Sequence, residues 1–396
     1  MSAVEAIAAL IHREGSITFD VFMEYALYEP HVGFFATGRG AGRSGRDFLT
    51  SPEVGPLFGT CVARAIDRAW HARGDPDPFL FVEAGAGNGR LAREVLRGEP
   101  ACLPALRYVL VERSEHLRAA QRELLPIEPA DEALGPFVAR GDDEELTPVA
   151  GAGPVFASLP ELPEMPVEVF VFANELLDNL PFGIAEWNGS RWNEVRVTLD
   201  DDGFVEIPVP AVDADAAALD AVVAARGSAS LPAGTRLPIA RGIDNWMREC
   251  GRALHSGVVT LVDYVIGLDD LVARGGGWLR SYRTQRRTER ALDDPGAQDI
   301  TADVLREQLV RSAHLAGFAV VDERSQATWL HDLGIEDLLD AGARAWESGA
   351  ARGDLDAIAG RSRGSEAAAL VDLDGLGAHR VVMLVKPADA AASRPR

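Results

Sequence analysis

The stretch from Phe79 to Gly89, Phe-Leu-Phe-Val-Glu-Ala-Gly-Ala-Gly-Asn-Gly, constrains this chain more than any other. Four apolar residues and an acid run into three alternating glycines, and a helical pattern follows. A strand buried on both faces reads as such a run, and a glycine turn at its end lets a ligand approach the backbone closely. The next helix would offer unpaired N–H groups and the positive end of its dipole. This is a nucleotide-type loop.

Its spacing bears on which nucleotide. A dinucleotide fingerprint requires G-x-G-x-x-G, but here the glycines occupy 85, 87 and 89 and Arg90 stands in the third slot. A phosphate loop would need Gly-Lys-Ser/Thr, which is missing. An acid before G-x-G-x-G suits S-adenosylmethionine (SAM) better. That ligand has no phosphate, while its amino-acid end has an ammonium for a carboxylate such as Glu83 and a carboxylate for backbone N–H groups. An ordinary turn between strand and helix has the same spacing, so the loop alone leaves both readings open.

A length of 396 residues accommodates one large α/β domain with additions, or two domains. A net charge of −22 disfavours nonspecific binding to nucleic acid or an anionic membrane. Cys61, Cys102 and Cys250 are far apart and odd in number, which suggests neither a disulfide framework nor a zinc site, and no metal is expected. The first residues, MSAVEAIAALIHREG, lack a basic start, a long apolar region and a cleavage signal, and no apolar run is long enough to span a bilayer. The cytoplasm is the expected location.

Helical spacing covers 4–13, and a second helix after Ser16 carries Phe19, Phe22, Met23 and Leu27. Residues 33–47 read as a Gly- and Arg-rich loop, and a helix resumes from Pro52 to Trp70. Alternation of strand and helix then predicts strands 79–83, 107–112, 154–157 and 167–173, with helices 89–97 and 114–125. Trp187 to Phe204 reads as antiparallel strands with turns at Asn188-Gly189 and Asp200 to Gly203, and 208–234 as loop or weak helix. Helix 242–255, strand 257–264, helix 301–316, strand 317–322, helices across 335–361 and strand 380–386 complete the pattern, with 317–322 and 380–386 able to pair. The expected partition is an N-terminal helical cap or lid (1–78), a core (79–182), an insertion with antiparallel strands (183–256), the rest of the core (257–387) and a disordered tail (388–396).

Glu112 ends the second strand, 23 positions after Gly89, where an acid takes ribose hydroxyls in open α/β sheets. It could instead be a surface acid capping the next helix, which Ser114 and Glu115 open. Past the strand 167–173, Asn174, Glu175 and Asp178 form a polar set suited to orienting a substrate or cofactor, although Asn174 is also a good helix cap. The segment Thr50-Ser51-Pro52-Glu53 reads as a helix start with Ser51 as cap and Pro52 in the first position.

Taken in order, these pieces resemble the MidA-like SAM-dependent methyltransferases, a family that includes a mitochondrial complex I assembly methyltransferase. The likeness runs through Phe22-Met23, Tyr28, Pro30 and Gly33, then Asp47-Phe48, Thr50 to Glu53 and Phe58-Gly59. It continues through Glu83 to Gly89, Val111-Glu112, Ser114, Leu117, Gln121, Asn174-Glu175, Asp178, Pro181 and Val262-Asp263-Tyr264. Leu279-Arg280, Tyr282-Arg283, Asp299 to Val304, Gln326, Leu330 and Leu333 to Ile335 extend it.

The resemblance implies an α/β fold with a Rossmann-like SAM-dependent methyltransferase sheet, an N-terminal helical cap and an insertion before the fifth strand. It implies SAM as cofactor, with Gly85, Gly87 and Gly89 as its loop, Glu112 as the ribose acid, Asn174 and Glu175 after the fourth strand, and Thr50, Ser51, Pro52 and Glu53 folding over it. An arginine-containing protein, linked to respiratory complex assembly, is the implied acceptor; a small molecule, or SAM held without turnover, are the alternatives. A guanidinium acceptor would need a carboxylate clamp, for which Glu175 and Asp178 are the candidates and Glu53 the third. The family pattern is departed from at Val265, Gln285 and Asp303, all on the presumed substrate side.

Overall fold

A computed structural model describes residues 2–38, 50–135, 138–140, 146–148, 151–224, 231–283, 286–288, 290–350 and 354–388. The chain divides into two compact units. One comprises Leu49–Asn174, Ala253–Val262 and Val320–Arg396, and the other Met1–Phe48, Glu175–Arg252 and Asp263–Ala319.

The first unit is built on an eight-stranded sheet. Its order is Ala319–Ser325, Arg380–Lys386, Leu254–Asp263, Met165–Asn174, Phe79–Ala84, Leu106–Val111, Val155–Leu159 and Ile127–Glu128. From Leu254–Asp263 onward, neighbouring strands are parallel. Every residue of Phe79–Ala84 and Leu106–Val111 is buried, which is why both strands are nearly continuous apolar runs. Phe81, Tyr108, Phe156, Phe172 and Trp329 form an aromatic layer on this sheet, with Phe81 and Tyr108 rings 4.8 Å apart. Helix Arg90–Arg97 buries Leu91, Ala92 and Val95 against the same core. As expected, Ala319–Ser325 and Arg380–Lys386 lie side by side, at the sheet's edge.

The single helix expected from Pro52 to Trp70 is two, Ser51–Val54 and Pro56–His71. Proline disfavours helical backbone in the residue before it, and Gly55 is accordingly extended. Position 55 also faces Glu366, whose Cδ lies 2.2 Å from where a Cβ would sit and whose Oε2 accepts from the Leu57 N–H at 3.0 Å.

The second unit holds a five-stranded antiparallel sheet in which Trp192–Asp200 pairs with Gly183–Trp187, Gly203–Pro210 and Ile17–Thr18, and Thr235–Ile239 pairs with Gly183–Trp187. Both predicted turns join strands there. Helices Ala3–Glu14 and Phe19–Tyr28 bury Ile7, Ile11, Phe19, Phe22 and Leu27 against Ile184, Val195 and Val197. The expected cap 1–78 is therefore divided: its first helices share a core with the antiparallel sheet, while residues 50–78 join the parallel one.

One further expectation in this unit differs. Residues 301–316 are not one helix: Asp299–Ala302 and Val304–Leu305 are strands, and the helix is Arg306–Leu315. Asp299–Ala302 pairs antiparallel with Leu279–Tyr282, and the alternation of Ile300, Ala302 and Val304 with Thr301 and Asp303 suits a strand. Within 208–234, Asp213–Ala224 is helical. Residues 39–49, Gln285 and the tail from 389 lie outside the described residues, and with them Asp47-Phe48 and most of the expected tail. No helix among the described residues is long and apolar enough to cross a membrane.

Candidate active site

In the parallel-sheet unit the glycine loop leaves the end of strand Phe79–Ala84. Gly85, Gly87 and Gly89 have φ of 71°, 53° and 81°, so each uses the left-handed backbone that glycine adopts freely. The Gly85 and Ala86 N–H groups both donate to the Val111 carbonyl, at 2.9 and 3.0 Å, tying the loop to the adjacent strand.

Glu112 lies one residue beyond that strand. Its Oε2 accepts from the Gly87 N–H at 3.0 Å and its Oε1 from the Ser114 N–H at 2.8 Å. Burial raises its pKa, while these two bonds and the nearby Arg118 and Arg113 act the other way. A carboxylate has about four acceptor sites, so two bonds leave it able to accept ribose hydroxyls. The cap role weighed against that function belongs to Ser114, whose hydroxyl accepts from the Leu117 N–H.

Glu83 sits deeper. It is buried in the strand, and Tyr108 Oη donates to its Oε2 at 2.6 Å. Burial pushes its pKa up to about 8, against the Tyr108 bond and with the charge of Glu112.

The segment Thr50 to Glu53 differs from its sequence reading in one respect. Thr50 occupies the N-cap position, Ser51 opens the helix and Pro52 follows. Ser51 Oγ instead donates to Gln326 Oε1 at 3.0 Å, and Gln326 in turn donates to the Leu370 carbonyl at 3.0 Å. Both side chains are fully buried, so a partner far along the chain replaces the local cap. Glu53 is buried and its N–H donates to the Thr50 carbonyl. Asn174 is the last residue of strand Met165–Asn174, paired with Val262.

Glu175 and Asp178 belong to the other unit. Glu175 holds φ of 50°, a conformation uncommon for a residue with a side chain and worth attention where function is sought. The turn after it is strapped from several segments. Asp263 Oδ2 accepts from the Leu176 and Leu177 N–H groups at 3.1 and 2.8 Å, and its Oδ1 from the Tyr264 N–H at 2.9 Å. Thr301 Oγ1 donates to Asp178 Oδ2 at 2.6 Å. Asn179 Nδ2 donates to Asp299 Oδ1 and the Ile300 carbonyl, both at 3.0 Å, and Tyr28 Oη donates to the Asn179 carbonyl at 3.0 Å.

Asp178 is buried rather than solvated. Burial raises its pKa to about 6, opposed by the Thr301 bond and the Arg280 charge. Asp263 is pushed up by burial and by the charge of Asp178, against its three N–H bonds. The Tyr264 hydroxyl is also pushed up by burial and by Glu175 and Asp178, and the Arg280 guanidinium lies 5.3 Å from its ring centroid. The departure at Asp303 has a structural counterpart: its buried carboxylate is clamped by Arg280 and Arg274, each at 2.6 Å. Val265 pairs with Val304 in a short parallel ladder.

Sequence reasoning passed over Asp263, Tyr108 and Thr301 as working residues, and gave Gln121 no role. Asp263 had a readable signal, since it follows an apolar strand just as Glu112 does. The other three are recognised only through partners distant in sequence.

A parallel sheet flanked by helices, with a glycine loop at one strand end and an acid at the end of the next, defines a nucleotide-binding α/β fold of the Rossmann-like class. The family model described as "Putative S-adenosyl-L-methionine-dependent methyltransferase" matches residues 61–322, and the chain belongs to that family. A Burkholderia thailandensis protein solved with bound S-adenosyl-homocysteine superposes with a TM-score of 0.78 at 27% identity, covering 98% of this chain and 92% of that one. The Drosophila melanogaster mitochondrial protein arginine methyltransferase NDUFAF7 homolog is 26% identical over 318 residues, 76% of this chain and 68% of the relative. The Mus musculus protein arginine methyltransferase NDUFAF7 is 30% identical over 200 residues, 48% of this chain and 44% of its own length. This chain is thus a SAM-dependent methyltransferase, with the Rossmann-like sheet and cofactor that its sequence led us to expect.

Proposed function

We propose that this protein transfers the methyl group of SAM to an arginine side chain of a protein substrate. The observation that carries this reading is Glu175, a carboxylate held in a left-handed turn that Asp263, Thr301 and Asp299 strap in place. A planar guanidinium is matched by carboxylates, which orient it and stabilise its charge. Glu175 and Asp178 take this role, with Glu53 third. Relatives named as protein arginine methyltransferases support the acceptor class.

SAM supplies a methyl already activated by its sulfonium. The chain's own residues bind and align. We assign the cofactor to Gly85, Gly87 and Gly89, with Glu112 on the ribose, Glu83 towards the ammonium, and Asn174, Thr50, Ser51 and Pro52 around it. Ser51 acts there through its bond to Gln326, by fixing the backbone of its helix. Alignment of this kind supplies up to roughly 7–11 kcal/mol of barrier reduction.

The test is incubation with methyl-labelled SAM and cell protein from the source organism, followed by acid hydrolysis. Labelled methylarginine is expected from the wild type and a loss of at least about tenfold from Glu175→Gln. Label confined to small molecules would replace the protein acceptor, the outcome that the departures at Val265 and Asp303 would favour. A respiratory-complex subunit is the first acceptor to try. We place the protein in the cytoplasm, and cell fractionation tests it.

A further inference from the structure

The N–H groups of the glycine loop can be accounted for one by one. Those of Gly85 and Ala86 donate to the Val111 carbonyl, and that of Gly87 to Glu112. The Gly89 N–H donates to the Ala86 carbonyl, and the Arg90 N–H to Asn88 Oδ1. From Gly85 to Arg90, only the Asn88 N–H makes no hydrogen bond among the described residues.

What orients that group is Gln121. This residue lies on helix Glu115–Leu124, is fully buried, and its Cγ lies 3.2 Å from the Cβ position of Gly89. Its Nε2 donates to the Gly87 carbonyl at 2.7 Å, and its Oε1 accepts from Ser158 Oγ at 2.6 Å. A carbonyl can only accept, so the amide nitrogen must face Gly87. In a trans peptide the C=O and the following N–H point in opposite directions. Drawing the Gly87 carbonyl towards Gln121 therefore turns the Asn88 N–H away from the helix.

We propose that Gln121 is a positioning residue, which sets the Gly87–Asn88 peptide so that the Asn88 N–H donates to the amino-acid carboxylate of SAM. This rests on the loop being the SAM loop. It narrows the expectation that several N–H groups share that carboxylate, because the others between Gly85 and Arg90 have partners within the protein.

The test measures binding of S-adenosylhomocysteine and of 5′-methylthioadenosine, which lacks the carboxylate, by calorimetry across pH. In Gln121→Glu an ionised side chain cannot donate to the Gly87 carbonyl, while a protonated one can. Burial raises a carboxyl at this position, so relative to wild type at the same pH this variant should bind S-adenosylhomocysteine about tenfold more weakly near pH 9.5 and recover near pH 5.5. Taking the ratio at each pH removes the titration that Glu83 and Glu112, the carboxyl groups beside the loop, share with the wild type, and Gln121→Met, which adds no carboxyl, reports the loss free of coupling to them. Gln121→Met should be weaker at every pH, and carries the comparison if the buried glutamate prevents folding. Methylthioadenosine should bind all three proteins alike. A pH-independent ratio for Gln121→Glu, or equal losses for both ligands, overturns the proposal. Failure of the wild type to bind S-adenosylhomocysteine overturns it together with the SAM assignment.

Discussion

Tyr108 donates to Glu83 at 2.6 Å, within a layer of aromatic rings and at the strand end from which the glycine loop departs. Burial raises the Glu83 pKa from 4.5 to about 8. An acid raised in the folded state stabilises it most when protonated, below about pH 4.5, and that contribution is lost as pH rises through 8. The loss has a ceiling on the order of 5 kcal/mol. Glu83→Gln carries no titrating proton, so its Tm should gain on the wild type steadily between about pH 5 and pH 9. Parallel melting curves would rule this out.

The same carboxyl predicts proton release. With Glu83 towards the ammonium of SAM, binding a cation favours its ionised form. Calorimetry near pH 7 in buffers of different ionisation enthalpy should show protons released by wild type on SAM binding, and fewer by Glu83→Gln. Equal release by both proteins would place the ammonium elsewhere.

The left-handed backbone of Glu175 makes a separate prediction. Glycine adopts φ of 50° without the steric cost of a Cβ, roughly 1 kcal/mol. Glu175→Gly should therefore keep its Tm or raise it by about 2 °C while losing methyl transfer. A lower Tm would mean that the side chain, not the strap, holds the turn.

Asp263→Ala removes the acceptor of three N–H groups at once, those of Leu176, Leu177 and Tyr264. A buried donor left unpaired costs about 1–3 kcal/mol; the Leu177 bond is buried while the other two are only half-buried and cost less, so a total destabilisation of roughly 3–5 kcal/mol is expected. Urea denaturation would register it as a lower midpoint. Asp263→Asn, which keeps one carbonyl acceptor, should lose less. An unchanged midpoint in the alanine variant would show that water replaces the strap.

Much of the parallel-sheet unit was legible because its signals are local. A fully buried strand must be an apolar run, so Phe79–Ala84 and Leu106–Val111 were found to within a residue or two at each end. Turns declare themselves through glycine, as at Asn188-Gly189. The misreadings arose where a distant segment decided the outcome. Asp299–Ala302 carries the alternation of a strand, but the run is too short to stand out beside the helical pattern that follows it, and pairing with Leu279–Tyr282 decides it. Ser51 looked like a cap, but Gln326 captured its hydroxyl.

Sequence alone determined the strand, the glycine turn, the acid at the end of the next strand and, through the ordered blocks, the methyltransferase family. Those features depend on residue type and short spacing, because strand burial and left-handed turns are local demands. Tertiary structure decided which polar groups meet. Asp263 reaches Leu177 across 86 positions, Thr301 reaches Asp178 across 123, and Gln121 holds the Gly87 carbonyl from a neighbouring helix. Hydrogen-bond partners are chosen by what packing brings within about 3 Å, and no periodicity along the chain encodes that choice.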